Sequence, residues 1–126
     1  MAAIEGVTDW REFENYARQY FSDLWHTNLK ARNVRIAGQV DYKFDLVSSD
    51  HKLVGDAKWL SNNPVPAAKW DGISAYVWLL QKVAAVKVFM VFGQDAAVPE
   101  RYLKRMRPLV QPVEFYFLDD AGHRRL

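Results

Sequence analysis

Segment 86–92, VKVFMVF, limits the folds open to this chain more than any other stretch, because apart from Lys87 it is an unbroken apolar run of strand length. A run that does not alternate between apolar and polar residues belongs to a strand covered on both faces. Such a strand needs helices on either side of its sheet, so the remaining sequence has to supply them.

Three segments do. Thr8 is placed to cap a helix whose first turn carries Asp9 and Glu12, and Trp10, Phe13, Ala17, Tyr20, Phe21 and Leu24 recur at helical spacing as far as about residue 25. Pro66 suits a first helical turn, and Trp70, Ile73, Ala75, Val77, Trp78, Leu80 and Gln81 continue a mostly apolar helix, which predicts burial on more than one side. Pro99 and Glu100 open a short basic helix to about residue 107.

Strands fill the intervals. The polar segment 28–33 precedes an alternating strand with Val34, Ile36 and Val40, bent at Gly38. Segments 42–48 and 52–59 form a hairpin about Ser49-Asp50-His51, loop 61–64 precedes the apolar helix, and 113–118 adds a last strand before the Asp119-Asp120 turn. The predicted order α-β-β-β-α-β-α-β describes an α/β fold: an antiparallel hairpin, a crossover helix and a central strand make a mixed β-sheet flanked by helices.

Composition adds limits. A chain of 126 residues, 50% apolar and 25% charged, is read as a single domain spanning 1–126. Five Trp, six Tyr and seven Phe supply its core, and the absence of cysteine excludes disulfides, thiolate zinc sites and thiol nucleophiles. No signal-like segment and no apolar stretch of about 20 residues occurs, so a cytoplasmic protein without membrane partners is expected. Net charge is only +2, but Lys30, Arg32 and Arg35, then Arg101, Lys104, Arg105 and Arg107, then His123, Arg124 and Arg125 are clustered. Such clusters are solvated faces or phosphate-binding surfaces.

Chemistry concentrates in FDLV (44–47) and LVGDAKW (53–59), where charged residues interrupt apolar strands. In a tight turn about Asp50-His51, residues whose numbers sum to 101 face each other, which sets Asp45 opposite Asp56. Cross-strand partners lie roughly 5 Å apart. Lys58 shares a side with Asp56 while Ala57 points away. Two carboxylates this close repel, and a divalent cation such as Mg²⁺ (or Mn²⁺) relieves the repulsion while accepting water and a phosphate oxygen. A lysine beside it orients or deprotonates the attacking water and meets charge growing at phosphorus.

With these residues in place, the sequence resembles the PD-(D/E)XK nuclease superfamily, the restriction-endonuclease-like fold, over about residues 8–92. Its pattern is an acid on the second strand and acid-x-Lys on the third within an αβββαβ core, matched by Asp45, Asp56 and Lys58; Phe44 stands where the motif's name has proline, and Asp56 where glutamate is commoner. The resemblance implies Asp45, Asp56 and the Ala57 carbonyl as metal ligands and Lys58 as the catalytic lysine. Many members add a glutamate from the first helix; at about 100° per residue, Glu14 lies about 60–70° from the apolar stripe and Glu12 nearly opposite it, so Glu14 is the candidate. The implied activity is Mg²⁺-dependent hydrolysis of nucleic acid, DNA before RNA, with specificity left to a homodimer or a partner protein. Rival readings keep the fold as a catalytically degenerate binding or assembly module, or make the D-x-K accidental.

Two lesser sets complete the candidates. Trp25, Trp59, Trp70, Tyr76 and Trp78 suit core packing before base stacking. His26, His51 and His123 lack catalytic or zinc spacing, and Lys69 and Gln81 are the polar residues near the apolar helix.

Overall fold

The computed structural model describes residues 4–61 and 66–126, the side chains of 66–68 excepted. Residues 62–64 of the expected loop therefore lie outside the described residues. The chain runs α1 (Trp10–Leu24), β1 (Lys30–Ile36), β2 (Val40–Val47), β3 (Leu53–Leu60), α2 (Pro66–Gln81), β4 (Lys87–Gln94), α3 (Ala97–Val110), β5 (Glu114–Asp119) and β6 (Gly122–Arg125). The strands form one sheet in the order β1-β2-β3-β4-β5-β6, in which β3, β4 and β5 are parallel and the remaining pairings antiparallel. This is the mixed α/β sheet flanked by helices that the sequence predicts.

The apolar run does become a central strand. Val88 through Phe92 are all buried, and their side chains divide between two cores. On one face, Met90 and Phe92 pack with Ile73, Val77 and Leu80 of α2 and with Val98, Tyr102 and Leu103 of α3. On the other, Phe89 and Val91 pack with Phe13, Ala17 and Phe21 of α1. One helix thus covers one face and two cover the other.

Several boundaries differ from the sequence reading. Asp9, rather than Thr8, caps α1: its side chain accepts from the Glu12 N–H at 2.9 Å, while the Thr8 N–H donates to Glu12 Oε1 at 2.9 Å. Gly38 does not bend a single strand. Ala37 and Gly38 hold φ of 53° and 71°, the left-handed conformation of a tight hairpin turn, so Val40 begins a second strand and segment 28–33 supplies half of the first. Helix α2 buries Ile73, Val77 and Leu80 on one side only, leaving Trp78 58% exposed. Helix α3 continues past residue 107 and Pro108 to bury Val110. The basic tail pairs with β5 as β6, where Arg124 meets Glu100 at 2.7 Å and Arg125 meets Glu114 at 3.6 Å.

A bulge in β2 is the irregularity that matters for the site. Lys30 pairs with Val47 but Arg32 with Phe44, so Asp45 and Leu46 together face the single residue Ala31. The extra residue shifts the inside–outside phase. Phe44 and Val47, three positions apart, consequently enter the same core, while Leu46 enters the opposite one beside Phe89.

Close approach of β3 to β4 requires glycine at position 55. A Cβ there would lie 2.4 Å from the Phe89 ring, far inside contact distance. Gly55→Ala is therefore expected to destabilise the protein by about 1–3 kcal/mol, as overpacking does. Urea denaturation checks this, and Phe89→Leu in the same chain should recover part of the loss if the ring is the obstacle.

Candidate active site

Where β2 and β3 part, side chains take over from the strand ladder. Leu46 pairs with Gly55 and Val47 with Val54, the register that the Asp50-His51 turn predicts, and the ladder stops there. Beyond it, the Asp45 N–H donates to Asp56 Oδ1 at 3.2 Å, and the Ala57 N–H donates to Asp45 Oδ2, also at 3.2 Å. Each carboxylate thus meets a main-chain N–H near the other. Because the N–H and C=O of a strand residue leave on the same side, the Ala57 carbonyl also points into this opening.

Asp56 carries the burden of the arrangement. It is 2% exposed, and its Oδ2 is buried without a hydrogen bond. Lys58 Nζ lies 3.1 Å from that oxygen, an ion-pair distance. Burial first, and the adjoining Asp45 carboxyl second, push the Asp56 carboxyl up to about 8, against the pull of Lys58. Burial thus favours the protonated form of this carboxyl, and Lys58 the ionised one.

Lys58 is itself confined. Its ammonium sits 3.4 Å from the centre of the Tyr76 ring on α2, a cation–π contact, and only a fifth of its side chain reaches solvent. Burial and a hydrogen bond with Tyr76 push the neighbouring Tyr42 hydroxyl up to about 12, keeping that phenol neutral. Two tyrosines therefore wall one side of the lysine.

Helix α1 closes the other side. Glu14 is partly buried, and its carboxyl is raised first by burial and second by the charge of Asp45, with Arg18 and Lys58 pulling it down. Arg18, one turn on, lies 3.9 Å from Glu14 Oε1 and donates through Nη1 to the Asp45 carbonyl at 3.0 Å. This guanidinium ties the helix to the bulged residue of β2.

The sequence-derived candidates are thus brought together unequally. Asp45, Asp56, Lys58 and the Ala57 main chain are contiguous, while Glu14 shares their electrostatic surroundings and faces Arg18. Among the described residues, no three His, Asp or Glu side chains are arranged to hold a metal ion as they stand. The donor chemistry nevertheless suits a hard cation: Asp56 Oδ2, which accepts no hydrogen bond, an Asp45 oxygen and the Ala57 carbonyl are all oxygen donors, and Mg²⁺ ordinarily keeps several waters beside one or two carboxylates.

Arg18 and Tyr76 were not singled out for this site by sequence. The i,i+4 spacing of Glu14 and Arg18 was available as a signal. Nothing in the sequence sets the phase of α2 against Lys58, so the placement of Tyr76 was not. Gln81 instead ties α2 to α3, donating to the Leu109 and Gln111 carbonyls at 2.8 and 2.9 Å, and Lys69 donates to the Ser61 carbonyl. His26 and His51 are exposed, and His123 meets the Tyr20 hydroxyl at 2.8 Å.

The raised carboxyl has a consequence for stability. The unfolded Asp56 ionises near pH 4 and the folded one near 8, so between those values the unfolded chain binds fewer protons and stability falls as pH rises. The contribution is whole below about pH 4 and spent above about 8. Asp56→Asn is expected to remove this decline and to stabilise the protein at pH 8 by ~1–3 kcal/mol. Urea midpoints of the two proteins at pH 5 and 8 provide the comparison; equal pH dependence would show that Asp56 is not the group responsible.

Comparison with known proteins finds no matching family model, no matching curated protein and no matching solved structure.

Proposed function

We propose that the protein is a metal-dependent phosphodiesterase acting on nucleic acid, DNA before RNA, of the PD-(D/E)XK kind. The observation that carries the reading is the buried Asp56 Oδ2 beside Asp45, which accepts no hydrogen bond and has the Lys58 ammonium 3.1 Å away as its ion-pair partner. A protein that only needed a stable hairpin would gain from an apolar residue at position 56, because a buried carboxylate is costly. A site that must take up a cation gains from keeping it.

The roles follow from position. Asp45, Asp56 and the Ala57 carbonyl would hold Mg²⁺ or Mn²⁺, with Glu14 reaching it through water. The ion would supply a Lewis acid and a bound water of lowered pKa. Lys58, held by Tyr76, orients the attacking water and meets the charge that grows on the non-bridging phosphate oxygens. Arg18 fixes the Asp45 main chain, so the acid does not drift when the strand moves.

The decisive experiment incubates the purified protein with single-stranded, duplex and branched DNA and RNA, with and without Mn²⁺. Lys58→Ala is expected to lower cleavage by about 10²–10³-fold while Mn²⁺ still binds, because the lysine acts on the reaction rather than as a ligand. Asp45→Ala should weaken both. Equal loss of Mn²⁺ affinity in the two variants would refute the separation of roles. Complete absence of cleavage and of Mn²⁺ uptake in the unaltered protein would favour the binding-module reading.

Metal uptake should also report the proton on Asp56. Below about pH 8, each ion bound there displaces a proton, so Mn²⁺ affinity is expected to rise about tenfold per pH unit and to level off above that. Calorimetry at pH 6, 7 and 8.5 measures it.

A further inference from the structure

A cleft of about 670 Å³, lined by polar and apolar residues alike, opens between α1 and the start of β1. Its near end is formed by Asn15 and Arg18, and the Arg18 guanidinium reaches from there to the Asp45 carbonyl at 3.0 Å. From that end the lining passes Gln19 and Asp23 and reaches Asn28 and Lys30. The cleft and the candidate active site therefore share a wall.

Its chemistry selects one part of a nucleic acid. Its lining presents the Lys30 ammonium, the Asn28 amide and the Ser22 and Thr27 hydroxyls, which pair with phosphate and sugar oxygens, while the Arg18 guanidinium, engaged by Asp45 and Asn15, adds positive charge. No aromatic ring lines it, so it lacks the platform on which bases stack. Asp23, the acid in the lining, is engaged by the Gln19 amide at 3.0 Å. The volume falls within the range of clefts that hold small ligands, which suits a short length of one strand.

We infer that this cleft grips the sugar–phosphate backbone of a single nucleic-acid strand next to the reacting phosphate, with Lys30 as its outer anchor and without reading base identity. The inference rests on the phosphodiesterase reading for its class of ligand. A strand whose phosphate sits at Asp45 and Asp56 passes over Arg18 as it leaves, and the cleft is the next surface it meets. Lys30, exposed at the first position of β1, is paired there through its main chain with Val47, so its side chain is free to act on a ligand.

The test uses the full chain and fluorescein-labelled oligonucleotides in the absence of divalent cations, with affinity read by anisotropy. The unaltered protein is expected to bind single strands of different sequence equally and more tightly than a blunt duplex. Lys30→Glu should weaken single-strand binding at least tenfold for every sequence and lower the slope of log affinity against log salt by about 1. Lys82→Glu, exposed just past α2 on the sheet face opposite α1, should leave binding unchanged, and circular dichroism confirms that both variants fold. Binding in Lys30→Glu equal to that of the unaltered protein, affinity that follows base sequence, tighter binding of the duplex, or no binding of any oligonucleotide would each overturn the inference. Its failure is distinguishable from that of the phosphodiesterase reading: Mn²⁺-dependent cleavage with an unchanged KM in Lys30→Glu removes the cleft and keeps the reaction, whereas weakened binding in a protein that never cleaves keeps the cleft and removes the reaction.

Discussion

Two hydrogen bonds between strands that no longer pair as a ladder set the character of this protein. The Asp45 N–H finds the Asp56 carboxylate and the Ala57 N–H finds the Asp45 carboxylate, so side chains meet main-chain groups that a continuing β2–β3 ladder would have satisfied. The opening between the strands is thereby kept without leaving these N–H groups orphaned. Either carboxylate is consequently structural as well as chemical, and its loss disturbs the seam before any question of reactivity arises.

The bulge explains how the opening is compatible with two well-filled cores. Without an extra residue at Asp45–Leu46, strict alternation would put Phe44 and Leu46 on one face and Val47 on the other. With it, Phe44 and Val47 join the layer under α2 and α3, and Leu46 joins Phe89 under α1. Asp45 is left at the point where the phase changes, reaching across to β3 instead of into either core. Glu14 and Arg18 of α1 approach from one side and Tyr76 of α2 from the other, so each layer of the fold contributes to the same site.

How much of this the sequence disclosed depended on the scale of the signal. The central strand was legible because six of the seven positions 86–92 are apolar, and the Asp45, Asp56 and Lys58 grouping was legible because a short turn fixes register over the residues beside it. Strand β1 was read too short because an edge strand keeps charged residues on its open face, and Lys30 and Arg32 therefore imitate a loop. β6 was hidden for the same reason: His123, Arg124 and Arg125 pair by main chain while their side chains stay in solvent. The bulge itself left no local mark, since it is set by which core Phe44 and Val47 enter, a fact of tertiary packing. Arg18 and Tyr76 could be assigned to the site only once helix phase was known.

On the proposed reading, the same burial that makes Asp56 expensive makes the site responsive. In the protein alone, two partial remedies offset the cost: a proton held by the raised carboxyl and the ammonium of Lys58 at 3.1 Å. Neither is complete, because Asp56 stays 2% exposed and its Oδ2 accepts no hydrogen bond. A divalent cation would replace both at once, releasing the proton to solvent and Lys58 to the reacting water and phosphate. The stiffness of the arrangement then matters as much as its charge. Tyr76 limits how far the ammonium can retreat, and Arg18 limits how far Asp45 can follow the strand, so on this reading the charge developing during phosphodiester cleavage meets groups already oriented and largely buried.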